Sequence, residues 1–229
     1  MTKILSWNVG SFFFLKYAAQ LKLKHKGITI PHQYFNGKLN GDFVSENIVD
    51  INPDIIILQE VTEEKDLEYL PALIDYPFQK FVGTIYHDHF MLVASKTPLS
   101  MSKFGLYTIF DNGEFKFIPI HFAPLSSKTK QHEVRLIKEF TDNASRTLII
   151  GDSNLWSIRG LFLLRGDKKA YKMLTDEMVD FGKWINRAVI TGFEFDKVIG
   201  TPDITISDLQ CLRRKQAFMD HFPIVVEVE

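Results

Sequence analysis

Short runs of Ile, Val and Leu recur along the chain, and most of them end in a polar or charged side chain. Such a run is typical of a strand that is buried on both faces. The runs predict strands at Lys3–Asn8, Ile55–Leu58, Phe90–Ser95, Phe115–His121, Thr147–Ile150, Glu194–Val198, Asp203–Ile206 and Pro223–Val228.

Between the strands, apolar residues recur at helical spacing, as Val134, Ile137 and Phe140 do. Helices are predicted at Asp42–Val49, Lys65–Ile74, Gln131–Phe140 and Lys168–Val179, with Asp42 as an N-cap. This mixed order favours an α/β fold of two packed mixed β-sheets flanked by helices.

Length and composition favour one domain over residues 1–229. A chain of 229 residues with 45% hydrophobic content can bury one substantial core. The Pro, Gly and Ser residues are scattered, and no linker, repeat or low-complexity tract is visible in the sequence.

The single cysteine, Cys211, cannot form an intramolecular disulfide, and its apolar neighbours Leu209 and Leu212 favour a packed thiol. Met1–Ser6 runs straight into the first predicted strand, which leaves no room for a signal peptide. No apolar run approaches the roughly 20 residues that span a bilayer. We therefore expect a cytoplasmic protein without a transmembrane segment.

Polar signatures stand at the ends of the predicted strands. In chain order they are Ser6-Trp7-Asn8, Gln59-Glu60, His121, Gly151-Asp152-Ser153-Asn154, Asp196 and Asp220-His221. If these ends converge, they form one acidic site at the edge of the sheets.

The donor types indicate the chemistry of such a site. Asn8, Glu60, Asp152 and Asp220 offer hard oxygens, which favour Mg²⁺ (or Mn²⁺) over zinc. A divalent ion beside Asp, Asn and His side chains suits phosphate esters, because it neutralises developing negative charge and helps to deprotonate water. Phosphoryl hydrolysis is the predicted reaction class.

The complete set of motifs resembles the endonuclease/exonuclease/phosphatase superfamily, the metal-dependent phosphohydrolases related to pancreatic deoxyribonuclease and abasic-site endonucleases. The motifs are Ser6-Trp7-Asn8, Leu58-Gln59-Glu60-Val61, His121-Phe122-Ala123-Pro124, Gly151-Asp152-Ser153-Asn154, Phe195-Asp196-Lys197-Val198 and Met219-Asp220-His221-Phe222-Pro223. The resemblance implies a four-layer α/β sandwich forming a single catalytic domain. It also implies that Glu60 is the main metal ligand, with Asn8 and Asp220 completing or supporting the metal site.

The resemblance further implies catalytic roles for five residues. Asp152 would orient or deprotonate the attacking water, and Asn154 would hold that geometry. His221 would contact a phosphate oxygen, oriented by Asp196 through its other ring nitrogen. His121 stands where relatives of pancreatic deoxyribonuclease have His.

Three positions depart from the family pattern. Gly10 stands where many nucleases of the family have Asp, Met219 where Ser is commonest before the Asp-His pair, and Asp196 lacks the Arg that often precedes it. With Gly10, one possible metal or water ligand is missing, whereas the other two departures remove no residue with an implied catalytic role.

The resemblance therefore implies a divalent-metal-dependent phosphodiesterase that uses in-line water attack, most readily a nuclease acting on DNA or RNA. A phosphatase or phosphodiesterase acting on a small-molecule or lipid phosphoester, and a phosphate-binding homologue without turnover, are the alternatives. DNA and RNA, internal and terminal cleavage, and the oligomeric state all stay open.

Basic clusters beside the motifs together favour an anionic substrate larger than a mononucleotide, and ordinary solvated surface is the alternative interpretation of each cluster by itself. They are the aromatic and lysine-rich segment 11–41, the group Trp156, Arg159, Arg165, Lys168, Lys169 and Lys172, and Arg213-Arg214-Lys215. A further pattern, His87-Asp88-His89, has the spacing of two metal ligands but no third ligand nearby, so we interpret it as structural.

Overall fold

A computed structural model describes residues 1–10, 37–61, 64–84, 90–124, 126–158, 161–182, 194–212 and 221–229, with the backbone alone at 37–40, 64–66 and 158. Two six-stranded sheets form the centre of this structure. In spatial order, the first sheet contains β13 (Ile206–Cys211), β14 (Ile224–Val228), β1 (Thr2–Asn8), β2 (Ile55–Val61), β4 (Phe90–Ser95) and β3 (Phe78–Gly83). The second contains β11 (Val179–Asp180), β12 (Asp196–Gly200), β8 (Thr147–Asp152), β7 (Lys116–His121), β6 (Tyr107–Asp111) and β5 (Ser100–Phe104).

Helical segments and one small hairpin surround the sheets. The α-helices are α1 (Gly37–Ile51), α2 (Ser127–Thr141) and α3 (Arg165–Leu174), and Glu64–Tyr69 and Pro71–Asp75 form 3₁₀ turns. The hairpin pairs β9 (Ser157–Ile158) with β10 (Leu161–Phe162) just after the end of β8.

Three apolar layers hold these elements together. Because strand side chains alternate between faces, Ile55 and Ile57 enter the core between the sheets, whereas Ile56 packs with Val44 and Ile48 of α1. On the outer face of the second sheet, a third cluster joins Ile118, Ile120 and Ile149 to Val134 and Ile137 of α2. The order helix, sheet, sheet, helix confirms the predicted sandwich and explains why the strands read as continuous apolar runs.

Four predicted elements need correction. The helix predicted at Lys65–Ile74 is a pair of 3₁₀ turns, since Pro71 starts a new turn inside it. Asp42 is not the N-cap of α1, because this helix already begins at Gly37 and Asp42 lies inside it. Helix α3 ends at Leu174, so Val179 lies in β11, and the strand predicted at Asp203–Ile206 is β13, which starts only at Ile206.

Two other sequence expectations concern Cys211 and the membrane. Cys211 is half-buried and packs against the inter-sheet core, as expected. No helix in the described ranges is long and apolar enough to cross a membrane.

The parallel strand pairs bring the polar strand ends together. β1 pairs in parallel with β2, which places Asn8 opposite Gln59, and β7 pairs in parallel with β8, which places His121 opposite Asp152. The antiparallel pairing of β12 with β8 sets Asp196 opposite Asp152 as well. Parallel strands end at the same sheet edge, so each sheet delivers its polar residues to one edge.

Gly151 occupies the point of closest backbone approach beside this edge. Its φ is +135°, and a Cβ there would lie 2.2 Å from the carbonyl oxygen of Ile120 in β7. Gly151→Ala should therefore destabilise the fold by roughly 2–4 kcal/mol, measured as the free energy of unfolding in urea. The matched control is Gly83→Ala in β3, where a Cβ meets nothing within 4 Å; equal stability losses in the two variants would contradict the steric argument.

Candidate active site

The side-chain amide of Asn8 joins the two sheets. Its Nδ2 donates to Glu60 Oε1 and to Asp152 Oδ2, both at 3.0 Å, and its Oδ1 accepts from Gly10 N at 2.9 Å. The bond to a backbone N–H identifies the oxygen of the amide, so the nitrogen must face the carboxylates. Asn8 therefore supports the two acidic groups, and its oxygen already has a partner.

Glu60 reaches the site through an irregularity in β2. The pairing of β2 with β4 slips by one residue between Leu58 and Val61, and Glu60 has a φ of +59°. A bulge of this kind re-aims a side chain, and a left-handed non-glycine residue is typical of functional sites. The Glu60 side chain keeps 24% of its surface exposed, the most open of the acidic side chains described at this site.

Asp152 is fully buried and is held on both oxygens. Oδ1 accepts from the backbone N–H of Asn154 at 2.7 Å, and Oδ2 accepts from Asn8. Asn154, with a φ of +47°, also donates from Nδ2 to the carbonyl oxygen of Phe122 at 2.9 Å. The turn after β8 thus fixes the orientation of the Asp152 carboxylate.

His221 and Asp196 form a buried pair. The Nδ1 of His221 lies 2.8 Å from Asp196 Oδ2, and a carboxylate only accepts, so Nδ1 carries the hydrogen. This leaves Nε2 directed to the site, 3.8 Å from Asp152 Oδ2. The carbonyl oxygen of His221 accepts from the indole N–H of Trp7 at 3.1 Å, which fixes the backbone at the ring.

His121 contacts both carboxylates from the other side. Its Nε2 lies 3.5 Å from Glu60 Oε1 and 3.9 Å from Asp152 Oδ2. Within the described parts of the chain, its Nδ1 and the hydroxyl of Tyr107 have no hydrogen-bond partner. Both residues line a cavity of about 20 Å³ together with Glu133 of α2, enough space for one water molecule.

The charges at the site shift the pKa values in opposite directions. Burial raises the pKa of Glu60, but His121, Asn8 and His221 outweigh it and bring the pKa to about 2. Burial also raises the pKa of Asp152, and there the neighbouring Asp196 adds to the rise while His221 opposes it. For His121, burial is outweighed by Glu60 and Asp152, so its pKa is raised. Two carboxyls whose pKa values are shifted in opposite directions are suited to divide acid and base roles.

The donor set fits a divalent cation. Glu60, His121 and Asp152 offer ligand atoms that all lie within 4.8 Å of one another. Glu60 is ionised and partly exposed, whereas Asp152 is enclosed by hydrogen bonds. Glu60 is therefore the residue best placed to hold such a cation, since hard cations prefer carboxylate oxygens.

The structure brings together seven of the eight residues that the sequence singled out: Asn8, Glu60, His121, Asp152, Asn154, Asp196 and His221. Asp220 lies outside the described residues, as do His87-Asp88-His89, Arg159, Arg213-Arg214-Lys215 and nearly all of segment 11–41. Of the second basic cluster, Arg165, Lys168, Lys169 and Lys172 are exposed on α3, and Trp156 is half-buried.

Sequence reasoning missed several groups behind the site. Tyr107 and Glu133 line the cavity at His121, and a buried Lys130–Asp167 ion pair lies beneath the turn at Asn154. The sequence did contain a signal for Lys130: this lysine occupies the same helical stripe as Val134 and Ile137, where an apolar residue is expected.

The family is shown by sequence. The profile of the Endonuclease/Exonuclease/phosphatase family matches residues 5–202, and the chain belongs to this family. No curated protein matches the chain in sequence.

Solved structures share the fold over its full length. A 3′ phosphatase from Neisseria bound to a product DNA hairpin has 14% sequence identity and a TM-score of 0.73, with 100% of each chain covered. An AP endonuclease from Archaeoglobus fulgidus has 15% identity, a TM-score of 0.70 and 100% coverage of each chain. The Bacteroides thetaiotaomicron mannosyl-6-phosphatase Bt3783 has 14% identity, a TM-score of 0.67 and 100% coverage of each chain. At such identities these structures establish the common fold.

Glu133 gives the site a pH-dependent effect on stability. Burial raises its pKa from 4.5 to about 7, opposed by the Ala123 N–H, His121 and Lys130. The Glu133 carboxyl loses its proton at a lower pH in the unfolded chain than in the folded protein. As the pH rises between these two pKa values, Glu133 therefore lowers the stability of the folded protein, by up to about 3 kcal/mol. Glu133→Gln should therefore gain stability over wild type at pH 8 and much less at pH 5, measured by urea unfolding. Glu139→Gln, an exposed position on the same helix, is the control; a gain for Glu133→Gln that does not change with pH would refute the buried-acid account.

Proposed function

We propose that this protein is a Mg²⁺- or Mn²⁺-dependent phosphodiesterase that hydrolyses nucleic acid by in-line attack of water. The observation behind this proposal is that the amide of Asn8 holds carboxylates from both sheets together, with His121 Nε2 at 3.9 Å and His221 Nε2 at 3.8 Å from Asp152 Oδ2. Residues 1–229 act as one catalytic domain, supported by the core that both sheets share. The predicted cytoplasmic location stays a prediction.

Each residue has a distinct role in the proposed reaction. Glu60 holds the metal ion, with Asp220 as a second carboxylate from the sequence motif, and the bound ion supplies charge neutralisation for the phosphate. Asp152 accepts the proton of the attacking water, which its raised pKa favours. In the imidazolium form, with Nδ1–H bonded to Asp196, His221 donates from Nε2 to a phosphoryl oxygen, and His121 donates a second hydrogen bond.

The surface of α3 supports a polymeric anion as substrate. Arg165, Lys168 and Lys169 are exposed on the first turns of this helix. Asp167 of the same helix accepts from the backbone N–H of Trp156 at 2.9 Å, so the basic surface adjoins the turn that carries Asp152. Repeated phosphates can contact this surface while one of them occupies the site.

Cleavage assays test the reaction class. Labelled single- and double-stranded DNA and RNA are incubated with Mg²⁺ or Mn²⁺, with EDTA as the metal-free control. Asp152→Asn should keep the fold and metal affinity but lower kcat by roughly 10²- to 10⁴-fold, because a general base contributes that much. Glu60→Gln should raise the metal concentration needed for activity and nearly abolish turnover at low metal.

The outcomes separate the alternatives. Metal-dependent cleavage that both variants lose supports the nuclease and shows its preferred strand. Full activity in either variant contradicts the assigned roles. If sugar or lipid phosphoesters are hydrolysed and no nucleic acid is cleaved, the substrate of this site is a smaller phosphoester. Binding of metal and phosphate without turnover identifies a non-catalytic homologue.

The basic surface of α3 has its own test. The triple variant Arg165→Gln/Lys168→Gln/Lys169→Gln should bind DNA more weakly. The slope of log Kd against log salt concentration should fall by up to about 2–3, because each lost phosphate contact removes about 0.7–0.9 from this slope. The matched control neutralises Lys3, Lys96 and Lys116, which lie at the opposite sheet edge near the starts of β1, β2 and β7. An unchanged slope in the α3 variant, or equal losses in both, would remove α3 from the substrate surface.

A further inference from the structure

We infer that Lys130 and Asp167 are positioning residues that set the geometry of the turn Asp152–Trp156. As far as catalysis is concerned, this inference rests on the proposed function. The two residues come from different helices, α2 and α3, and neither carries a motif of the site.

The ion pair is completely enclosed. Lys130 and Asp167 are both 0% exposed, and Lys130 Nζ lies 2.9 Å from Asp167 Oδ2. Lys130 Nζ also donates to the carbonyl oxygen of Asn154. Asp167 accepts from the backbone N–H of Trp156 at 2.9 Å and from Ser127 Oγ at 2.7 Å. Both charged groups therefore bond to the backbone of the same turn.

Stability alone explains this pair poorly. Taking two charges out of water is costly, and well-packed apolar side chains often replace a buried ion pair without loss of stability. Lys130 lies on the apolar stripe of α2 with Val134 and Ile137, and Asp167 lies on that of α3 with Ala170 and Leu174. What apolar side chains could not provide is a cation for the Asn154 carbonyl and an anion for the Trp156 N–H.

The connection to the reacting group is short. Asn154 has a left-handed backbone, which is unfavourable for a residue with a side chain and must be held by its surroundings. Its N–H bonds to Asp152 Oδ1 at 2.7 Å, its Nδ2 to the Phe122 carbonyl at 2.9 Å, and its carbonyl to Lys130. The Asn154 carbonyl belongs to the peptide after this residue and its N–H to the peptide before it, so releasing the carbonyl removes one of the three bonds that hold Asn154 and its N–H in place. Displacements of about 1 Å at a reacting group reduce rates by about 10²-fold.

The test removes both charges together, so that neither stays buried without its partner. Lys130→Met/Asp167→Asn is compared with Lys138→Met/Asp142→Asn, which removes a solvent-accessible pair of equal 2.9 Å length at the C-terminal end of α2. In the first variant we expect kcat to fall roughly 10- to 100-fold, as for residues that orient a ligand from behind. KM and metal affinity should change little, and the control should match wild type.

Hydrogen exchange gives a readout that does not need turnover. The amides of Asn154 and Trp156 should exchange faster in Lys130→Met/Asp167→Asn than in wild type, while the amides of β8 keep their protection. Ser127→Ala, which removes only the bond from Ser127 Oγ to Asp167, keeps the test usable if the double variant does not fold. Ser127→Ala should change kcat and the amide exchange rates in the same direction as the double variant, but less.

Two results overturn the inference. One is a normal kcat in a variant that is merely less stable, and the other is unchanged exchange at Asn154 and Trp156. If wild type hydrolyses no phosphoester, the proposed function fails, and the exchange data alone decide whether Lys130 and Asp167 hold the turn.

Discussion

The hydrogen bonds of one buried amide govern this structure. Asn8 Nδ2 donates to Glu60 in the first sheet and to Asp152 in the second, each at 3.0 Å. Two carboxylates placed so close repel each other unless donors or cations lie between them. Asn8 supplies the donors, and the Nε2 of His121 lies 3.5 Å from Glu60 Oε1 and 3.9 Å from Asp152 Oδ2. The acidic site therefore forms only when the two sheets pack, and folding and chemistry depend on the same contact.

Backbone strain and buried charge concentrate around that contact. Glu60 and Asn154 both have positive φ values, and such conformations cost of order 1–3 kcal/mol each in non-glycine residues. The Lys130–Asp167 pair adds a desolvation cost beneath the same turn. The apolar layers on both faces of each sheet offset these costs. Rigid sheets thus hold side chains in orientations that a short loop would not keep.

The sequence predicted the sandwich and most of the site because both depend on simple patterns. Strands covered on both faces read as apolar runs, and Asn8, Glu60, His121 and Asp152 stand at or beside their ends. Two helix predictions were wrong: Pro71 starts a new 3₁₀ turn inside the helix predicted at Lys65–Ile74, and α3 ends at Leu174 rather than at Val179. The spacing of apolar residues does not show where a helix is interrupted. Lys130, Glu133 and Asp167 were missed because their partners lie far along the chain or on the backbone. A charged residue on the apolar stripe of a helix was their only sequence signal.

The central claim is that Glu60, beside Asn8 and Asp152, holds a divalent cation at the edge shared by both sheets. Anomalous diffraction from crystals grown with Mn²⁺ tests it most directly. We predict an anomalous peak within about 2.5 Å of a Glu60 carboxylate oxygen, and its loss in Glu60→Gln crystals under the same conditions. Absence of a peak at Glu60 in crystals saturated with Mn²⁺, or a peak of equal height in the variant, would contradict the account.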